Sequence, residues 1–258
     1  MVVHVLGAGN GRPGPDRDTS GLLIEFAGKC TLVDCPGSVV AKLARIGVAP
    51  EAVHRVILTH DHVDHIYGLP HLIHALAIGG STAAIPVYAP AATLATVDAV
   101  LQAHRLVRPG YPVLDGRRVP LEPLTTVLHE ELRVVASPAL HSRPTLALRV
   151  ETGNGVLGLS SDSLASTETA RLSARADVLM HDCGGVEQDR ASFGEHHASA
   201  ADAAEVARNA GVRRLLLTHL PPLDADREAG MLAEATAVFE GPVALARDGD
   251  RYEIDSVG

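Results

Sequence analysis

Short runs of aliphatic and β-branched residues alternate along the chain with longer stretches of helical spacing. The first runs, VVHVLG at 2–7, LLIEFAG at 22–28 and CTLVD at 30–34, are separated by turn-forming residues and predict an opening β meander. SVVAKLARIG at 38–47 has helical spacing and a closing Gly. RVILTH at 55–60 reads as a buried strand, and IYGLPHLIHALAI at 66–78 reads as a helix in spite of Pro70.

The second half repeats this order. LRVVAS at 132–137, TLALRVET at 145–152, GVLGLSSD at 155–162 and DVLMHD at 177–182 read as strands. SAADAAEVARNAG at 199–211 combines strong helix formers with a Gly stop, and RRLLLTH at 213–219 is an apolar strand ending in Thr-His. Two β-rich halves, each flanked by helices, predict an α/β protein with a four-layer αβ/βα sandwich rather than a doubly wound parallel sheet. With no low-complexity tract or linker between the halves, residues 1–258 are expected to form one domain. The irregular stretch at 106–130 is the expected mobile excursion.

Composition narrows the function classes. Hydrophobic residues make up 46% and charged residues 21% of 258 positions, which suits a globular protein with a sizeable core. Aromatics are only 3%, with no Trp, so stacking platforms for single-stranded nucleic acid are few. A net charge of -9 argues against a broadly basic phosphate-binding face. Cys30, Cys35 and Cys183 show no disulfide framework spacing, which fits a reducing, cytoplasmic setting. Cys183 reads as a packing residue, because no CxxC partner accompanies it. The chain has no basic and apolar leader and no run of roughly 18 apolar residues, so no membrane association is expected.

The candidate chemistry sits at strand ends. LTHDHVDH at 58–65 places His60 and His62 two apart, so that both imidazoles can reach one ion from an extended loop, while Asp64 and His65 can turn toward a second. Imidazole and carboxylate together suit Zn²⁺, with Mn²⁺ or Fe as alternatives. His141 after VVASPAL, Asp162 at the end of LGLSSD and His219 at the end of LLLTH also close apolar runs. Each alone has an ordinary reading as a cap or a solvent-facing His; together they complete two coordination shells.

These residues resemble the metallo-β-lactamase superfamily, whose His-x-His-x-Asp-His motif appears as His60, His62, Asp64 and His65. The resemblance implies that His60, His62 and His141 hold one metal, that Asp64, His65 and His219 hold the other, and that Asp162 bridges the two. It also implies a metal-bridging hydroxide as nucleophile. Within the superfamily the chain is most similar to the ribonuclease Z (tRNA 3′-endonuclease) and phosphodiesterase-like group. The carrying stretches are VHVLGAGNGRPGPDRDTSGLLIE, LVDCPG, LTHDHVDHIYGLPHLI and HHASAADAAEVARNAGVRRLLLTHLPP.

By that likeness His197 takes the place of the group's catalytic His, with Ser199 at its Thr position. Asp182 in MHDCGG takes the place of its conserved Glu, so that Asp64, His197 and Asp182 become the catalytic set. Ser199 also fits a plain helix cap, which would leave His197 a surface residue. Departures concern substrate contacts: Val63 stands where the group has Gly, PGSV follows Asp-Cys in place of Gly-Glu-Gly-Thr, and Asp18 replaces Asn. The absence of a long Gly-, Pro- and Lys-rich insertion, with the acidic balance, disfavours tRNA as substrate.

The expected activity is therefore metal-dependent hydrolysis of a small phosphodiester. Hydrolysis of another ester (aryl sulfate, lactone, thioester or β-lactam) is the second reading, and a non-catalytic metal-containing binding protein is the third. The family often forms homodimers. Residues 89–104 carry enough apolar surface for such a contact, although core packing explains it equally well.

Overall fold

Alternation within single strands sends neighbouring side chains to different cores. In the computed structural model, which describes residues 1–255, the strand Val178–Asp182 turns Val178 and Met180 toward one apolar cluster and Leu179 toward another. Leu216 and its neighbours Leu215 and Leu217 divide in the same way on the strand Leu215–Thr218. Strands buried on both faces have to read as nearly continuous apolar runs, which is why these segments stand out in the sequence.

There are two seven-stranded sheets. The first contains β1 (Val2–Gly7), β2 (Gly21–Phe26), β3 (Lys29–Val33), β4 (Val53–Ile57), β5 (Ile85–Ala89) and β6 (Leu114–Arg118). The second contains β7 (Thr125–His129), β8 (Arg133–Ala139), β9 (Thr145–Thr152), β10 (Gly155–Leu159), β11 (Val178–Asp182), β12 (Leu215–Thr218) and β13 (Val243–Leu245). The last strand, β14 (Arg251–Glu253), crosses back to pair with β1 at the edge of the first sheet, with Val3 opposite Tyr252.

Val3, Val5, Ile24 and Ile57 of the first sheet meet Leu146, Leu148, Leu157 and Met180 of the second in a central core. Helices α1 (Val39–Arg45), α3 (Leu69–Ile78) and α4 (Ala91–Ala103) cover the outer face of the first sheet, while α7 (Ala200–Ala210) and α8 (Ala225–Val238) cover that of the second. Of the short helices, α2 (Val63–Ile66) lies between α1 and α3, α5 (Thr167–Leu172) follows β10, and α6 (Arg190–Phe193) forms a surface turn before α7. This is the expected four-layer sandwich.

Strand direction then decides where the chemistry collects. From β3 to β6 the first sheet is parallel, and from β10 to β13 so is the second. β8 and β10 are each antiparallel to β9 and therefore run the same way as one another. The carboxyl ends of β4, β8, β10, β11 and β12 thus release their loops at one rim, which is where residues that terminate apolar runs must converge.

Some expectations change. Residues 106–130 are not wholly irregular, since they include β6 and β7, the edge strands of the two sheets. Leu114–Arg118 is mostly exposed, so no apolar alternation marks it as a strand. Pro70 lies in the first turn of α3, where its missing N–H removes no helical bond. The apolar face of α4 is used inside the chain: Val97 and Leu101 pack in the outer core of the first sheet. No helix of the described residues is long and apolar enough to cross a membrane.

Candidate metal centre

His60 follows β4 by three residues and is fully buried, with its Nδ1 3.0 Å from the Thr59 hydroxyl. That contact turns its Nε2 toward His62, whose Nδ1 is 3.1 Å away; His141 Nε2 lies at the same distance from His62 Nδ1. Asp162 Oδ2 is 3.6 Å from His60 Nε2 and 4.0 Å from His141 Nε2. Donors placed tetrahedrally around one zinc ion at ordinary bond lengths are roughly 3.3 Å apart. The observed spacings suit such an ion.

A second group shares the same oxygen. Asp162 Oδ2 lies 3.3 Å from His65 Nε2 and 3.1 Å from His219 Nε2, and Asp64 Oδ2 lies 3.4 and 3.6 Å from those two nitrogens. All seven residues expected to bind metal therefore gather in two groups joined at Asp162. His65 Nε2 and His219 Nε2 are buried and have no hydrogen-bond partner among the described residues. Unpaired buried polar atoms are costly, and two of them aimed at two carboxylates fit a missing cation.

Electrostatics agree with this reading. Burial holds His60, His62 and His141 below the ordinary imidazole value, which keeps them neutral and able to donate a lone pair. Burial opposes charge on His65 and His219 too, but Asp162 outweighs it and holds both well above that value. Against their own burial, Asp64 and Asp162 are kept well below the usual carboxylate range by His65 and His219.

Two further carboxylates orient the ligands from behind. Asp34 Oδ2 lies 2.8 Å from His65 Nδ1, and Asp34 also accepts hydrogen bonds from the Thr59 amide and hydroxyl. Asp182 Oδ1 is 3.3 Å from His219 Nδ1. A carboxylate on the far nitrogen fixes the ring and its tautomer. Asp34 (φ 57°) and His219 (φ 57°) both occupy the left-handed region, in which a non-glycine residue stores strain of about 1 kcal/mol or more. The Leu220 amide, donating to Ala8 O at 2.9 Å, holds the second of these turns. Asp34 was not singled out from the sequence, although CTLVD ends in an Asp as the Asp162 and Asp182 strands do.

The family model of the beta-lactamase superfamily domain matches residues 31–220, the stretch that carries every one of these ligands. The chain belongs to that superfamily. A ribonuclease Z from Mycobacterium sp. (strain KMS) is 30% identical, with 98% of this chain aligned to 96% of that protein. Among solved structures, the metallo-beta-lactamase fold protein YhfI from Bacillus subtilis superposes with a TM-score of 0.83 at 27% identity, covering 97% of this chain and 98% of that one. The short form of human tRNase Z gives a TM-score of 0.82 at 21% identity, covering 98% and 99%, a likeness of fold.

Within this superfamily member, the other residues picked out by sequence also find places. His197 Nδ1 lies 2.8 Å from Asp182 Oδ2, and against burial this carboxylate raises the His197 imidazole above its ordinary value. Ser199 caps α7 in a reciprocal box with Asp202, as the cap reading expects. Val63 opens α2 with its side chain 71% exposed, at the rim and away from the ligand atoms. Cys183 is buried in the outer core of the second sheet, and burial pushes its thiol up, which makes it a packing residue. Beside His197 and His219 a cleft of ≈ 730 Å³ opens toward α8.

Proposed function

We propose that the chain is a phosphodiesterase with two divalent ions, most simply zinc, bound by His60, His62, His141, Asp64, His65 and His219 and bridged by Asp162. Its superfamily and its His/Asp clusters make it a metal-dependent hydrolase. The observation that carries the two-ion reading is Asp162 Oδ2, which lies 3.1–4.0 Å from four imidazole nitrogens drawn from both groups.

Bound there, the ions would supply Lewis acidity for the phosphoryl oxygens and for activation of the water nucleophile. The rest falls to the chain. Thr59, Asp34 and Asp182 hold the ligand rings in register. His197, held through Nδ1 by Asp182, keeps Nε2 available to protonate the departing alkoxide. Asp182 itself is fully buried and acts as a positioning residue. The name ribonuclease Z, carried by relatives, extends the substrate reading to a nucleic-acid phosphodiester.

Turnover of bis(p-nitrophenyl) phosphate after loading with Zn²⁺, Mn²⁺ or Co²⁺ tests the reaction; no hydrolysis with any of the three overturns it. Occupancy by zinc, a cytoplasmic setting, a homodimer and a single-domain chain belong to the same proposal. Elemental analysis, cell fractionation, light scattering and limited proteolysis check them in turn.

A further inference from the structure

The cleft beside His197 is unlike the ligand pocket it adjoins. Val186, Phe193 and Met231 line it with apolar surface, and Asn10, Arg227, Asp189 and Asp226 add polar and charged groups of both signs. The Arg227 guanidinium has no carboxylate partner among the hydrogen bonds and ion pairs of the described residues. Because His197 and His219 border the cleft, a group leaving the phosphorus on the His197 side departs into it.

Phe193 is held for a purpose that packing alone does not explain. Its ring lies against the backbone of Gly184 and Gly185: a Cβ on Gly184 would come within 2.6 Å of Phe193 Cγ, and one on Gly185 within 3.1 Å of Cδ1. The missing side chain of Gly184 is what lets the ring come this close. The turn that presents it is tied down by Arg190, which bonds Glu187 and, at 2.5 Å, the Asp202 carboxylate of the α7 capping box. Yet Phe193 is only half-buried, one of three Phe in a chain without Trp, and it faces the cleft. A ring held against the Gly184–Gly185 backbone, with the Arg190 guanidinium 6.0 Å from its centroid and part of its surface left to the cleft, offers aromatic surface positioned before the ligand arrives.

We infer that this cleft binds the base of a nucleoside leaving group, stacked on Phe193, with Asn10 and Arg227 available to its polar edge. The inference rests on the phosphodiesterase reading and specifies its substrate as a nucleotide diester. A volume of ≈ 730 Å³ accommodates a nucleoside, whereas the apolar lining gives a sugar alone little to hold.

Binding of adenosine and of ribose to the zinc-loaded protein, followed by saturation-transfer NMR titration, tests this for the native chain, Phe193→Ala and Phe193→Leu. Bis(p-nitrophenyl) phosphate turnover is measured in parallel. Adenosine should bind and ribose should not. Phe193→Ala should weaken adenosine about tenfold, the usual scale of a lost base–aromatic stack. Phe193→Leu, which keeps apolar packing on Gly184, should weaken it as well while zinc content stays unchanged. Adenosine binding that is absent, equal to that of ribose, or unaltered in both variants overturns the inference. Phe193-dependent adenosine binding without diester turnover would uphold the nucleoside site and remove the phosphodiesterase reading; turnover without such binding would do the reverse.

Discussion

Asp182 Oδ2 lies 2.8 Å from Nδ1 of His197, whose ring borders the cleft. Its other oxygen lies 3.3 Å from His219 Nδ1, so one carboxylate orients both His197, the proposed proton donor, and His219, a proposed metal ligand. The Ser163 amide donates to the same Oδ2 at 2.8 Å and the Asp182 amide donates to Ser160 Oγ at 2.9 Å, which fixes the carboxylate between the strand ends.

His197→Ala and Asp182→Asn should consequently differ. Removing the His197 ring should lower kcat by about 10²–10⁴-fold, the range of a positioned general acid, and leave metal content intact. Asp182→Asn should lower kcat and also weaken metal retention, because His219 loses its orienting carboxylate. Steady-state kinetics paired with metal titration would separate the two; equal metal loss in both variants would contradict the division of roles.

Asp34 is the corresponding support for His65. Asp34→Ala removes the acceptor of His65 Nδ1 and of the Thr59 amide together. Metal affinity should fall by about 10–100-fold, as for other orienting carboxylates behind a ligating His. Competition against a chromophoric chelator gives the value, and a loss below twofold would show that Asp34 serves the fold alone.

Chelation should destabilise the protein. Asp64 and Asp162 lie together with Asp34 and Asp182 close behind, and without ions only neighbouring imidazoles, nearest those of His65, His197 and His219, stand against these carboxylates among the described residues. Saturation at 100 times the dissociation constant stabilises a fold by about 2.7 kcal/mol per site. Melting temperature should therefore fall on treatment with EDTA and recover with added Zn²⁺. Elemental analysis should give about two ions per native chain and about one for Asp64→Ala, with the variant inactive yet folded; full activity of that variant would exclude this centre from the reaction.

Gly68→Ala should be costly at a distance from any ligand. A Cβ at Gly68 would sit 2.0 Å from Pro36 O and 2.8 Å from Cys35 O, atoms of the backbone that follows Asp34. The Gly68 amide donates to Cys35 O and the Cys35 amide to His65 O, so the clash presses on the turn that holds His65. Overpacking of this kind costs about 1–3 kcal/mol, measurable by urea denaturation, with weakened metal binding alongside.

Much of this centre was legible before folding, through one repeated feature: a polar residue closing an apolar run. His60, His141, Asp162, Asp182 and His219 all satisfy it. The rule works because a strand buried on both faces must be apolar until it reaches the rim, where polar side chains regain solvent or a ligand. It applies equally to Asp34, which escaped notice because its work is done through His65. The edge strand β6 was illegible for the opposite reason, since with most of its side chains exposed it needs no apolar pattern.

Composition and local spacing determined which donors exist, that they suit a divalent ion, and that they lie at strand ends in a layered α/β protein. Tertiary structure decided which donors stand together, because Asp162 can join two groups only when the carboxyl ends of β4, β8, β10 and β12 reach one rim. It also placed Phe193 against Gly184 and Gly185 beside His197. In sequence those residues are merely a Phe and two glycines. The close approach that makes them a binding surface arises from the backbone path between β11 and α7, which no residue pattern within that segment expresses.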